Sequence, residues 1–441
     1  MKKALIFMAL VSMLIVGVGL TGCNGGDEPL LEWDSETEVT IDYWSIYPDS
    51  DEYSPKHKAF VDEFIAANPN VKINHYGFNF YDYFTKVSTA QAGGTNIDVY
   101  WNDIVNVKHR AGGGIAANLK PYIDADNVDL SNFSESSINS ATYDGGIYAL
   151  PVEADIRMMF YNKTLFAEAG LDPEKPPTSF EELYDYNTKL IKISDDNTSY
   201  DRIGFHPMLG NNAIQCMVWP MGGSFFDANG NPTLNSEINR KSIDWWVKFN
   251  RMYDSRKLNV FTSTYSDAGG ADTAFLQGVS GIVIAENSLA WQLSKNAPDL
   301  DYGIVPIPYY GEENHYTWSG AFTLEVSNRT SDIKKMAAWK FLNHMTGLEV
   351  QKRFLDELNF TPANLKAHEY IMQTSNENQK IIFNEFKYAR HMDYCKQAPE
   401  WWAGLSGDLF QASGGHMTPD ECADKAQKDL EKLIKEYNET H

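Results

Sequence analysis

Cysteine is scarce in this chain: Cys23, Cys216, Cys395 and Cys422 are the whole complement. With Cys23 set aside, three remain, an odd number that leaves no complete disulfide framework, although one pair can bridge. Basic residues are also few, 37 lysines and arginines against 60 aspartates and glutamates, for a formal net charge of −23. A field of that sign repels nucleic acid and anionic lipid and disfavours polyanionic ligands, so neutral or cationic ligands remain. Catalytic signatures are missing as well. The ten histidines form no HExxH and no pair at the spacing of a helical metal site, and there is neither a Walker loop nor a Gly-x-Ser-x-Gly elbow. Gly112 to Ala117 fits the letters of a dinucleotide fingerprint, but no clear strand leads into it and Pro121 interrupts the helix it should open, so it reads as a turn. Asp227-Ala228-Asn229-Gly230 lacks the later carboxylate of a calcium loop and reads as a turn too. No cofactor and no metal are expected.

What is present begins with a marked N-terminus. Lys2-Lys3 precedes an apolar run from Ala4 to Leu20, the form of a signal peptide or a short span. Leu20-Thr21-Gly22-Cys23 decides between them, because it resembles a lipobox, with small residues before a cysteine. That resemblance implies a signal peptide over residues 1–22, diacylglyceryl transfer to the Cys23 thiol and acylation of the new amine, which together anchor a chain durably. Residues 23–36 then read as a polar tether. The remaining ~400 residues exceed one compact core and predict two domains. Hydrophobic content of 43% and charged content of 22% suit an ordinary globule.

Glu38 to Trp44 alternates as a strand, Ser54 to Ala67 carries Phe60, Phe64 and Ile65 at helical spacing, and Asn68-Pro69 stops it. Val71 to Tyr76 reads as a strand, Tyr81 to Gln91 as a helix, and Ile97 to Trp101 as a strand running into Asn102-Asp103. Strands alternating with helices predict an open α/β sheet, whose ligands sit beyond the carboxyl ends of the strands. Trp44, Tyr47, Trp101 and Asp103 fall at those ends.

The stretch Tyr143 to Leu171 organises the rest. Asp144-Gly145-Gly146 is a tight-turn signal, Ile147 to Leu150 alternates, Pro151 ends or edges that strand, and a second apolar strand runs from Ile156 to Tyr161. Acids stand in the crossing segment Val152 to Asp155. Asn162 is placed to cap a helix closed by Gly170. The run Gly145 to Pro151, then Tyr161-Asn162, Leu165-Phe166, Ala169-Gly170-Leu171, Pro176-Pro177 and Glu181-Glu182-Leu183, resembles the extracellular solute-binding proteins of ABC importers, in the carbohydrate branch that includes maltose-binding protein.

The resemblance implies a type II periplasmic-binding-protein-like fold, α/β and two-lobed, each lobe an open mixed sheet flanked by helices with a cleft between. Residues 37–153 plus 321–375 would form the N-terminal lobe, and 154–320 plus 376–441 the C-terminal lobe. It also places further candidates at the ligand: Glu153 beside the hinge, Trp219 after a helix read over Asn211 to Trp219, and Glu286 on a cleft loop with Trp291 nearby. Trp318 lies on the return crossing, and Trp402 follows Trp401 at the start of a late helix. Adjacent helical residues point about 100° apart, so one indole of that pair should pack while the other projects; Trp402 is the choice for the projecting one, with Trp401 the alternative.

Sugar rings present C–H faces that pack on indoles and hydroxyls that seek carboxylates, so this mixture predicts a sugar or oligosaccharide ligand. The expected protein is a monomeric binding lipoprotein, not an enzyme, held on the extracytoplasmic face of the membrane and serving an ABC permease. Its rivals are a receptor for a cationic or amino-acid-like solute and a glycoside hydrolase using Glu153, Asp155 and Glu286. Replacing Cys23 by Ala should release the protein from the membrane fraction; unchanged attachment would mean that Ala4 to Leu20 is retained as a span.

Overall fold

The computed structural model describes residues 36–265 and 271–440. The signal segment, Cys23 and the tether up to residue 35 lie outside them. Among the described residues no helix is long and apolar enough to cross a membrane.

The first half follows its hydrophobic pattern closely. Strand β1 (Val39–Ser45) buries alternate residues, and helix α1 (Ser54–Ala67), with proline in its first turn, buries Phe60, Val61 and Phe64. Strand β2 (Val71–Gly77) precedes helix α2 (Phe80–Ala92), whose Asn79 cap accepts from the Tyr81 amide. Then come β3 (Val99–Asp103) and β4 (Leu150–Ala154). Pro151 lies inside β4, tolerated because β4 is an edge strand.

The chain leaves β4 through Asp155-Ile156 and enters β5 (Arg157–Asn162) of a different sheet. The helix read over Asn211 to Trp219 shrinks to α3 (Gln215–Val218), because residues 207–212 form a loop whose Asn211 carbonyl and side chain are taken by Arg157. Helix α4 (Glu237–Arg251), β6 (Ile282–Glu286), β7 (Tyr302–Val305) and the short β8 (Thr317–Trp318) follow. The chain then returns to the first sheet as β9 (Ala321–Val326), followed by α5 (Asp332–Thr346) and α6 (Leu348–Leu358). Strand β10 (Ala389–Arg390) pairs with β8, and α7 (Trp401–Ser413) and α8 (Pro419–Thr440) close the chain.

The first sheet has the order β2-β1-β3-β9-β4, parallel among β1, β2 and β3 and antiparallel at β9. The second has the order β6-β5-β7, antiparallel throughout. All six residues of β5 are buried. Met158 and Phe160 on one face join the apolar cluster that includes the first sheet, while Met159 and Tyr161 on the other join a cluster with α4, α7 and α8. Cys216, Cys395 and Cys422 are buried free thiols, so the possible bridge does not form.

One ion pair sits inside the first lobe. Arg110 Nε donates to Glu325 Oε2 at 2.7 Å, with the Glu325 side chain fully buried on β9. Removing one member leaves an uncompensated interior charge, so Arg110→Met should cost about 3 to 5 kcal/mol. Urea unfolding checks this; a loss below about 1 kcal/mol would show that Glu325 does not depend on Arg110 for its place in the interior.

Candidate functional site

Strand register assembles the first wall. Asp103 on β3 lies opposite Phe322 on β9, which lies opposite Glu153 on β4, so a carboxylate, an aromatic ring and a second carboxylate form a row at the carboxyl ends of the parallel strands. Trp44 ends β1 beside Tyr76 and Phe78, with ring centroids 6.2 and 4.7 Å away. At the start of α2, Phe80 packs edge-on to Phe84 and Phe322, and Tyr81 is 83% exposed.

At the crossing between the sheets a single guanidinium gathers the acids. Arg157, on the first position of β5, pairs with Asp155 and, at 3.3 Å, with Glu286 of β6. Its Nε donates to the Asn211 carbonyl and its Nη2 to the Asn211 side chain, both at 3.0 Å. Its flat face lies 3.9 Å from the ring centre of Trp318, a cation–π contact. The return crossing joins the same cluster, since the Gly320 amide donates to Asp155 and Thr317 exchanges hydrogen bonds with the Arg157 backbone. Against burial, which favours the neutral form, Asp155 and Glu286 raise the Arg157 pKa. Glu153, buried and accepting from the Phe322 amide at 3.3 Å, is displaced the other way for a carboxyl: burial, then Asp155 and Glu286, push its pKa well above the ordinary range. Burial raises Asp103 as well, against the Val105 amide that its side chain caps.

Beside this cluster opens a cavity of about 420 Å³. Asp103 and Val105 of the first lobe border it, with Trp318, Met208, the run from Asn212 to Gln215 that enters α3, Trp246 of α4, and one face of α7. On α7, Trp402, Leu405, Ser406, Leu409 and Phe410 recur at helical spacing along that face. Trp401 packs: it is 5% exposed, its Nε1 donates to the Asp393 carbonyl, and it meets Phe225 and Phe226. Trp402 projects, at 42% exposed.

The candidates therefore fall into three groups. Asp103, Trp318 and Trp402 border the cavity. Glu153 and Glu286 stand in the charged cluster, Glu286 at the end of β6 rather than on the loop beyond, and Trp44 is half-buried at the end of β1. Tyr47, Trp101 and Trp219 are instead buried in the lobes' interiors. The Trp101 indole donates to Tyr43 while its carbonyl accepts from Tyr83 at 2.9 Å, because the side chain of a central strand points into a covered face. Tyr47 stacks on His57 at 4.3 Å, and Trp219 is held between Phe225 and the Arg390 guanidinium. Arg157, Asn211, Phe322 and Phe410 were not anticipated. Arg157 had a signal: a lone cation inside an otherwise apolar strand must find carboxylates.

The family model for bacterial extracellular solute-binding proteins matches residues 47–352. The chain belongs to that family. This solute-binding protein is 22% identical over 392 residues to the maltotriose-binding protein of Pyrococcus abyssi, covering 87% of this chain and 78% of that one. It is 20% identical over 448 residues to a maltooligosaccharide ABC transporter solute-binding lipoprotein of Streptococcus pneumoniae, covering 99% and 98%. Among solved structures, CpMnBP1 with mannotriose bound superposes with a TM-score of 0.75 at 22% identity, covering 89% of this chain and 99% of that one. Lmo0181 from Listeria monocytogenes, in complex with cycloalternan, gives a TM-score of 0.74 at 22% identity, with 90% and 99% covered. These likenesses show the two-lobed fold of the solute-binding protein.

The raised Glu153 pKa has a testable sign. Between the ordinary glutamate value of about 4.3 and the raised native value, the native state keeps a proton that the unfolded chain releases, so stability falls as pH rises. Glu153→Gln removes this dependence. Its melting temperature should fall less steeply than that of the parent as pH rises from about 4; parallel profiles would show that Glu153 ionises normally in the fold.

Proposed function

We propose that the protein captures a neutral oligosaccharide between its lobes and delivers it to an ABC permease, anchored outside the membrane through a lipid on Cys23. One observation carries the ligand class: a cavity between the lobes joins exposed indole and phenyl rings, Trp402 and Phe410, to a carboxylate, Asp103. Rings take the C–H faces of sugars and carboxylates take their hydroxyls. The maltotriose, maltooligosaccharide and mannotriose in the names of the relatives and of the solved structure point the same way. Residues 37–153 with 321–375 form one lobe in this reading, and 154–320 with 376–441 the other.

A binding role is favoured over glycoside hydrolysis by how the acids are held. Asp155 and Glu286 are both tied to Arg157, and Glu286 also accepts from Asn211. Acids so engaged hold a hinge and orient a ligand. Glu153, whose raised pKa would suit a general acid, is 4% exposed against the Phe322 amide and does not line the cavity, whereas a hydrolase needs a proton donor that reaches the leaving group. The protein acts as a monomer in this scheme, without a cofactor.

Melting temperatures against malto-, manno- and gluco-oligosaccharides, with amino acids and polyamines as rivals, test the ligand class. A ligand at 100 times its Kd stabilises by about 2.7 kcal/mol, and a response to amines or amino acids alone would overturn the sugar reading. Trp402→Ala should weaken binding of a responding sugar by at least ~1 kcal/mol with little change in melting temperature. Trp401→Ala should instead cost ~3 to 5 kcal/mol of stability. If both variants lose stability and neither loses affinity, Trp402 is not at the ligand.

A further inference from the structure

The cavity is more apolar at its second-lobe end than the ring faces of plain sugars require. Met208, Ile214, Phe225, Leu405 and Leu409 line it there. Set among them are polar atoms with nothing to bond. Gln215 is 2% exposed and Trp246 6%, and both border the cavity. Neither Gln215 Nε2 nor Trp246 Nε1 has an acceptor among the described residues. On the same wall, Asn212 spends its amide on the Pro207 carbonyl at 3.1 Å while its buried Oδ1 accepts from nothing described. Buried polar groups without partners are rare and costly, so each calls for an explanation, and these three belong to side chains that line one cavity.

With Trp318 Nε1, which also lacks an acceptor among the described residues, three donors and one acceptor on the lining side chains describe a particular substituent. A hydroxyl entering here brings no group for the apolar side chains. A carboxylate is disfavoured because, among the described residues, the one charged side chain lining the cavity is itself an acid, Asp103. A protonated amine offers no acceptor to Gln215 or Trp246. An acetamido group supplies all three features: its carbonyl accepts, its N–H donates and its methyl is apolar. Resting on the carbohydrate reading above, we infer that this end of the cavity is a subsite for the acetamido group of an N-acetylated amino sugar. In that subsite Gln215 and Trp246 donate to its carbonyl and Asn212 Oδ1 accepts from its N–H.

Ligands that differ only at carbon 2 test this. Calorimetry would compare triacetylchitotriose with cellotriose and with the fully deacetylated glucosamine trimer. N-acetylglucosamine against glucose and N-acetylmannosamine against mannose extend the comparison to single rings. The acetamido member should bind about tenfold or more tightly than its hydroxyl and amine counterparts, the size of penalty that unpaired polar groups impose when an analogue lacks their partner. In Gln215→Leu and Trp246→Phe that ratio should fall at least about fivefold. The melting temperature should hold or rise, since each change removes an unsatisfied buried donor without opening a large void. Equal or weaker binding of the acetamido member wherever binding is measured overturns the subsite, as does a ratio unchanged in both variants. If a variant does not fold, the parent comparison decides alone. If malto- and manno-oligosaccharides bind but acetamido sugars do not, only the subsite falls; if no sugar binds, the carbohydrate reading falls with it.

Discussion

The arrangement depends on a buried guanidinium that must be neutralised where the chain passes between its two sheets. Arg157 is 4% exposed, and a cation so placed is tolerated only with carboxylates and hydrogen-bond acceptors close by. The partners come from separate parts of the chain: Asp155 from the outgoing crossing, Glu286 from the end of a neighbouring strand, Asn211 from a loop and Trp318 from the return crossing. Satisfying one charge therefore draws together four segments scattered over more than a hundred residues. It also sets the plane of Trp318, whose indole has the guanidinium on one side and borders the cavity.

The neighbouring strands fix what surrounds that charge. Register across β3, β9 and β4 places Asp103, Phe322 and Glu153 in one row, so the first lobe presents its acids at a common height. Glu153 shares this region with Asp155 and Glu286 but is offered a backbone amide rather than the guanidinium, which is why burial and like charge raise its pKa instead of lowering it. The second lobe answers with a helix face of indole, phenyl and leucine side chains.

Much of the fold was legible because periodicity and punctuation agree locally. Helix α1 begins and ends where Ser54 and Asn68-Pro69 predict, and the alternation of β1 and β2 shows in their burial. In the candidate site, side-chain direction was legible where helical geometry alone decides, as with the divergent Trp401 and Trp402. It was illegible where a side chain's direction depends on which face a sheet covers. Trp101 sits at a carboxyl end as expected, yet its strand has a covered face and the indole points into it. Tyr47, in the loop after β1, and Trp219, at the end of α3, turn inward through packing on His57 and on Phe225 and Arg390, none of which is adjacent in sequence. Asn211 carries no local signal at all, since its role exists only through Arg157, 54 residues away.

Burial of the three thiols has a chemical consequence. Burial pushes the Cys216 pKa up to about 11 and that of Cys422 to about 12, so almost no thiolate is present near neutrality and exchange with small disulfides is slow. A member of an extracellular family commonly meets oxidising surroundings, and there an exposed thiol is exposed to mixed-disulfide formation. Here the sulfurs behave as small apolar side chains. Among the described residues the fold holds no disulfide, so that part of the chain needs no oxidant to mature and no reductant to persist.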